Sequence, residues 1–304
     1  MNKGKRSEYE ERAHRQIQEW KHPIQSWFDR ATAVVSWPLD KAGDVLMNTP
    51  GLGPAIQNAF SGVVGIINDG SQWSVRPAAI MEEYRRFGHD DVGGLGDLYR
   101  LDLSSVDRAI GWLDTKYEGI ALVEGAVAGG TSVLTPAAAL AAIPADVAAL
   151  LAINLRAVGE YATYCGFDVC LPEERLFALN VLALASSPSD SSKQIALAQL
   201  VRIARDAALK KTWHDLERRA GVAAVQRIAQ ALSIRLTKAK LAQVVPVAGA
   251  VIGGGFNAYY TDKVCKAAFY LYRERFLAEK YGVDEIEVTV EPAATIEPEY
   301  ETEL

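Results

Sequence analysis

A chain of 304 residues and 33.0 kDa has room for one large domain or two ordinary ones, and its 49% hydrophobic content can bury a substantial core. Charged residues make up 23% and the net charge is −6, which argues against whole-protein attraction to nucleic acid. Three cysteines cannot form a complete disulfide set, and their spacing is not C-x-x-C, so a reducing compartment is the natural reading.

The N-terminal residues MNKGKRSEYEERAHRQIQEW are charged throughout and carry no apolar run, so no secretion signal is predicted. Tyr9 to Trp20 has the spacing of a surface helix, with Tyr9, Ala13, Ile17 and Trp20 near one face. Pro23 should interrupt it. A second amphipathic piece carries Ile24, Trp27, Phe28, Ala31 and Val35 and stops near Pro38. Trp20, Trp27 and Trp37 crowd this arm, which either packs on the core or anchors at a membrane surface, where Trp rings favour the headgroup zone. NTPGLGP is a turn, and AIQNAFSGVVGIIN a short apolar helix.

Ala78 to Arg86 reads as helix, Gly88 to Gly96 as loop, and a further helix starts near Val106. Two Ala/Gly-rich stretches then dominate the pattern, Gly119 to Asp168 and Leu241 to Tyr260. No charge falls between Glu124 and Asp146. Each stretch carries a G-x-x-x-G unit, Gly125/Gly129 and Gly249/Gly253, predicted to let another helix approach closely. Both reach the ~18–20 residues of a bilayer span. Ala and Gly gain little from lipid, however, and Pro136, Pro144 and Pro246 interrupt them, which favours core helices or shallow helical hairpins.

Pro144 fits a first helical position, with Asp146 in the first turn. The helix that follows shows Val147, Leu150, Leu151, Leu155, Val158, Tyr161 and Ala162 on one broad face, with Asn154 intruding. Gly166 can supply its left-handed cap and Phe167 the apolar contact after it. Pro172-Glu173-Glu174 opens another helix, SSPSDSS is a linker, and helical stripes follow to Leu236. From Lys210 to Lys240 eight basic residues face two acidic ones. DKVCKAAFYLYRERFLAEKYG reads as one amphipathic helix ending at Gly282. The fold class is all-α: a compact multi-helix domain over residues 1–285, with a disordered acidic tail over 286–304.

The four histidines are scattered, H-E-x-x-H is absent, and no nucleophile elbow, P-loop or dinucleotide fingerprint occurs, so neither metal nor cofactor is expected. The polar residues set in apolar context are Asp146, Asn154, Arg156, Glu160, Asp168 and Asn257. Of these, Asp146, Asn154, Arg156 and Asn257 are the catalytic candidates. Each also has a structural reading, as a helix-dipole partner, an i, i+4 ion pair or a bridge between helices.

The chain resembles the EcsC family. The resemblance runs through YEERAHRQIQEW, GAVAGG, IPADVAALLAINLRAVGEYATYCGFD, RLTKAKLAQVVPVAGAVIGGGFN and YRERFL (Tyr272 to Leu277). Cys165 stands where the family usually places an aromatic residue, with Tyr164 just before it. The resemblance implies a bacterial, helical, membrane-linked protein and supplies no reaction. The leading expectation is therefore a non-enzymatic protein at the cytoplasmic face of the membrane. It would bind an anionic membrane surface or a membrane protein, and not nucleic acid. Arg218, Arg219, Arg227, Arg235, Lys238, Lys240, Trp20 and Trp27 would make the lipid contact. The alternative is a hydrolase-like enzyme acting on a lipid or peptide there.

Overall fold

The computed structural model describes residues 5–21, 61, 75–131, 136–185 and 249–282, with backbone alone at 126–131, 136–144, 172–173 and 249–255. Among them are seven α-helices, one 3-10 segment and no strand. The helices are α1 (Glu8–Lys21), α2 (Pro77–Arg86), α3 (Leu103–Ile110), α4 (Leu113–Thr131), α5 (Pro136–Tyr164), α6 (Pro172–Ala185) and α7 (Gly249–Tyr281); the 3-10 segment is Leu95–Arg100.

The all-α class follows from the periodicity. The Trp27 arm, the segment around Met47 to Asp69, the linker, the stripes up to Leu236, the basic segment and the acidic tail lie outside the described residues.

α7 is the axis of the molecule. All seven residues from Leu271 to Leu277 are buried, so neighbours enclose the helix on every side at that level. Its most extensive contact is with α4, followed by α5 and α6, while α1 and the 3-10 segment close the rest. The second Ala/Gly stretch enters the structure as the beginning of this 33-residue helix, which runs without interruption from Gly249 into the amphipathic segment expected after Tyr260. Between Gly249 and Tyr260 there is thus no turn of a hairpin.

The first stretch does form a helical hairpin. α4 and α5 run antiparallel on either side of residues 132–135, with Lys116 near the start of α4 reaching Glu160 near the end of α5 at 2.6 Å. α4 does not continue from α3, because Gly111 and Trp112 form a turn between them. Pro136 opens α5 as its first residue, where the missing N–H costs nothing. The helix then passes through Pro144 unbroken, so Asp146 lies in its interior and not in a first turn. The surrounding residues are mainly alanine, the strongest helix former, and this sustains the helix across a proline that removes one hydrogen bond.

Val147, Leu150, Leu151, Leu155, Val158, Tyr161 and Ala162 are all buried, as their spacing predicts. The C-terminus of α5 is closed as its sequence suggests. Gly166 has φ +91°, Gly166 N donates to Thr163 O at 3.0 Å, and Phe167 N donates to Ala162 O at 2.9 Å, the paired bonds of a Schellman cap. Two tyrosines complete it: Tyr84 Oη donates to Tyr164 O at 2.8 Å and Tyr99 Oη to Gly166 O at 2.9 Å.

Candidate functional site

Two polar layers cross the bundle at different heights on α7. The lower layer gathers around Tyr272-Arg273-Glu274-Arg275 and Lys280. Arg275 donates from both terminal nitrogens to the two oxygens of Glu174, each at 2.6 Å, and both residues are buried. Its guanidinium also lies over the rings of Phe167 (4.0 Å) and Phe177 (4.2 Å), a geometry that favours the cation. Burial opposes the charge, but the attraction and hydrogen bonds of Glu174 outweigh it and hold Arg275 above its ordinary value.

Arg273 donates to Asp107 Oδ2 at 2.7 Å, and Tyr9 Oη donates to the same oxygen at 2.7 Å. Burial dominates at Asp107 and raises its carboxyl despite Arg273 and Tyr9. Burial and the bond to Asp107 push the Tyr9 phenol up to about 12. Lys21, wholly buried, pairs with Glu274. Glu10 closes the layer, accepting from Lys280 Nζ at 2.7 Å, from Leu103 N at 3.3 Å and from the Tyr281 phenol. Burial works against its ionisation, yet the bonds from Lys280, Tyr281 and the Ser7 backbone hold the carboxyl below its ordinary value.

The buried pairs therefore bind α1, α3 and α6 to α7. Three consecutive charges on a helix span about 200° at 100° per residue, and with apolar neighbours on both sides one at least must turn inward. That signal was present in YRERFL. Ser7-x-x-Glu10 is likewise a capping-box signature: Glu10 N donates to Ser7 Oγ at 3.2 Å and Ser7 N to Glu10 Oε2 at 3.0 Å. The pairing of each charge across helices had no sequence signal, because Asp107, Glu174 and Lys21 are distant in the chain.

The upper layer holds two of the four catalytic candidates. Asn154, fully buried, donates to Leu150 O at 2.8 Å and to Thr261 Oγ1 at 3.2 Å, joining α5 to α7. Asn257 sits one turn before Thr261 and donates to Glu124 of α4. Asn257 also lies against Gly125, where an added Cβ would stand 3.0 Å from its Nδ2, so a side chain at this position would require Asn257 to shift. The surroundings of Gly129, Gly249 and Gly253 fall among the residues described by backbone alone.

Arg156 stands apart from both layers. Half its side chain is exposed, and it pairs with Glu160 one turn on. Asp146 is half-buried and engaged with another residue. Asp168 organises a turn, its Oδ1 accepting from Cys170 N at 2.9 Å. Trp20 is half-buried and stacked on Tyr270 of α7, centroids 5.0 Å apart. Trp27, Arg218, Arg219, Arg227, Arg235, Lys238 and Lys240 lie outside the described residues.

Thiol nucleophiles find little support. Cys165 and Cys265 are buried, and desolvation raises both thiols far above their ordinary value. Cys165 is thus a buried thiol, while neighbouring Tyr164 bonds to Glu83. Among the described residues no group of three or more His, Cys, Asp or Glu could hold a metal ion.

The geometry defines an all-helical bundle whose polar interior groups join helices to one another. The comparisons then identify it: the EcsC protein family model matches residues 11–277, and the chain belongs to that family. It is similar to the uncharacterized protein YdbA of Bacillus subtilis (strain 168), with 23% identity over 227 residues, 74% of this chain and 78% of the relative. No solved structure matches it significantly.

Proposed function

We propose that this chain is a non-enzymatic helical protein that associates peripherally with the inner face of the cytoplasmic membrane, as a binding or accessory factor in a transport or envelope process. The observation that carries the reading is the outward side of α4, where Ile120, Leu122 and Val123 are 43%, 50% and 64% exposed, opposite buried Ala121. A helix apolar on its outer as well as its inner face calls for a cover. No helix among the described residues is long and apolar enough to cross a membrane, so the association would be peripheral.

The basic excess between Lys210 and Lys240 supplies the electrostatic part, at about 1 kcal/mol for each Lys or Arg close to an anionic surface. The hydrolase reading needs Asp146, Asn154, Arg156 and Asn257 in one pocket. Arg156 is outside the bundle, and the two asparagines are held by Thr261 and Glu124.

Liposome flotation tests the proposal. The full chain should float with anionic vesicles, with weakening as salt rises. Charge reversal at Arg218, Arg219, Arg227 and Arg235 should reduce flotation while the fold survives. Absence of flotation at low salt would remove direct lipid binding.

A further inference from the structure

The hold of α1 on the bundle depends little on apolar contact. Of its fourteen residues, only Ala13 and Ile17 are buried apolar side chains, whereas α5 buries nine between Val147 and Tyr164. The rest of the contact is polar or aromatic. Tyr9 donates to Asp107, Glu10 accepts from Lys280 and Tyr281, Lys21 pairs with Glu274, and Trp20 stacks on Tyr270. α1 therefore runs antiparallel to α7 along about three of its turns, from Tyr281 back to Tyr270.

A junction of this kind has a small net free energy. Lys21, Glu10 and their partners are solvated again when the helix leaves, so the desolvation that each ion pair costs on closing is returned on opening. The layer beneath α1 is also incompletely paired. Arg273 is 2% exposed and gives one N–H to Asp107, while its Nε and Nη1 and the second oxygen of Asp107 have no hydrogen-bond partner. The amide nitrogen of Gln18, on α1 itself, is buried in the same condition. Buried polar atoms without partners favour any state that admits water to them. Tyr9 covers the Asp107–Arg273 pair from the α1 side, so lifting α1 admits water there.

The other helices do not need α1 to stay together. Arg275 keeps Glu174 of α6, Arg273 keeps Asp107 of α3, and Lys280 keeps Leu101 O. We infer that α1 is a releasable strap, which lifts from α7 as a unit while the remaining helices stay packed and so bares Glu274, Lys280, Tyr281 and the Asp107–Arg273 pair. While closed, it withholds that charged strip from every other partner. This inference is independent of the membrane reading.

Hydrogen exchange of the full chain, resolved by segment at a series of low urea concentrations, tests it. Amides from Ala13 to Lys21 should be protected about tenfold less, or weaker still, than those from Leu150 to Val158, and their exchange should hardly depend on urea because the opening exposes little surface. Lys21→Met strands Glu274 only while the strap is closed. It should speed exchange in α1 about tenfold and leave the α5 amides as they were. Glu174→Ala, which breaks a pair outside α1, should instead speed exchange in α5 and α7 as well. Equal protection of α1 and α5 in the parent would overturn the strap, and this measurement decides even if Lys21→Met fails to fold. A folded Lys21→Met in which both helices exchange faster by the same factor would overturn it too, because α1 would then open only with the whole fold.

Discussion

The two ends of α7 solve the problem of helix packing by opposite means. Its first thirteen residues, Gly249 to Thr261, carry no charge, and the following twenty carry eight. At the charge-free end the one described glycine contact sets Gly125, without a side chain, against Asn257. At the charged end, long side chains fill the space, and Arg273, Glu274, Arg275 and Lys280 each take a partner from another helix. Contacts between small residues are individually weak and tolerate an apolar surrounding. Buried ion pairs are specific, since an uncompensated buried charge costs several kcal/mol. One helix is thereby anchored firmly at one end and left free of charge at the other.

Breaking the charged end should have the largest effect. Glu174→Ala leaves Arg275 buried without its carboxylate and should cost about 3–5 kcal/mol in chemical denaturation. The double variant Glu174→Leu with Arg275→Met should recover most of that loss, because apolar groups of similar size need no partner. A double variant as unstable as the single one would show that the bidentate pair is not the source of the cost.

The glycine end should respond less. Gly125→Leu puts a side chain where a Cβ alone would stand 3.0 Å from Asn257 Nδ2, and a loss of about 1–3 kcal/mol is expected from overpacking. Thermal unfolding indistinguishable from the parent would mean that α4 and α7 separate there at no cost, which would erase the contrast between the two ends.

The smallest effect sharpens the comparison through pH. Glu10→Gln keeps the shape of the capping box and removes the charge facing Lys280, which is itself partly exposed and still donates to Leu101 O, so about 1 kcal/mol should be lost at neutral pH. The Glu10 carboxyl lies below its ordinary value of 4.5 in the folded state, so its contribution is complete above that value and disappears as pH falls through the folded one. The melting-temperature gap between parent and Glu10→Gln should therefore narrow once pH drops below 4.5. A gap that stays constant to pH values well below this would remove Glu10 as an ionised contact.

Local signals carried a large part of the fold. The i, i+3, i+4 spacing of Ile17 with Ala13, and of Val147 through Ala162, located buried faces without reference to any other helix. Gly166 and Phe167 announced the end of α5, since only glycine adopts φ +91° without strain. Pro144 misled, because a proline can start a helix or interrupt one, and alanines on both sides allow neither. Of the site, Asn154 and Asn257 were visible as polar residues in apolar runs, but their partners Thr261 and Glu124 were not. Lys21, Glu10 and Glu174 carry no sign of burial in the sequence, because burial of a charge depends on a counter-charge supplied from elsewhere in the chain.

By itself, then, the sequence determined the helical class, the buried stripe of α5 and its cap, the family, and the two charge-free stretches, all of which rest on interactions within a few turns of one helix. Only the tertiary structure decided that Arg273, Glu274 and Arg275 point into the core and find Asp107, Lys21 and Glu174 there. It also decided that the two charge-free stretches lie side by side at one end. Both outcomes depend on the relative direction of α4, α5 and α7, which arises when distant side chains meet and which no local pattern encodes.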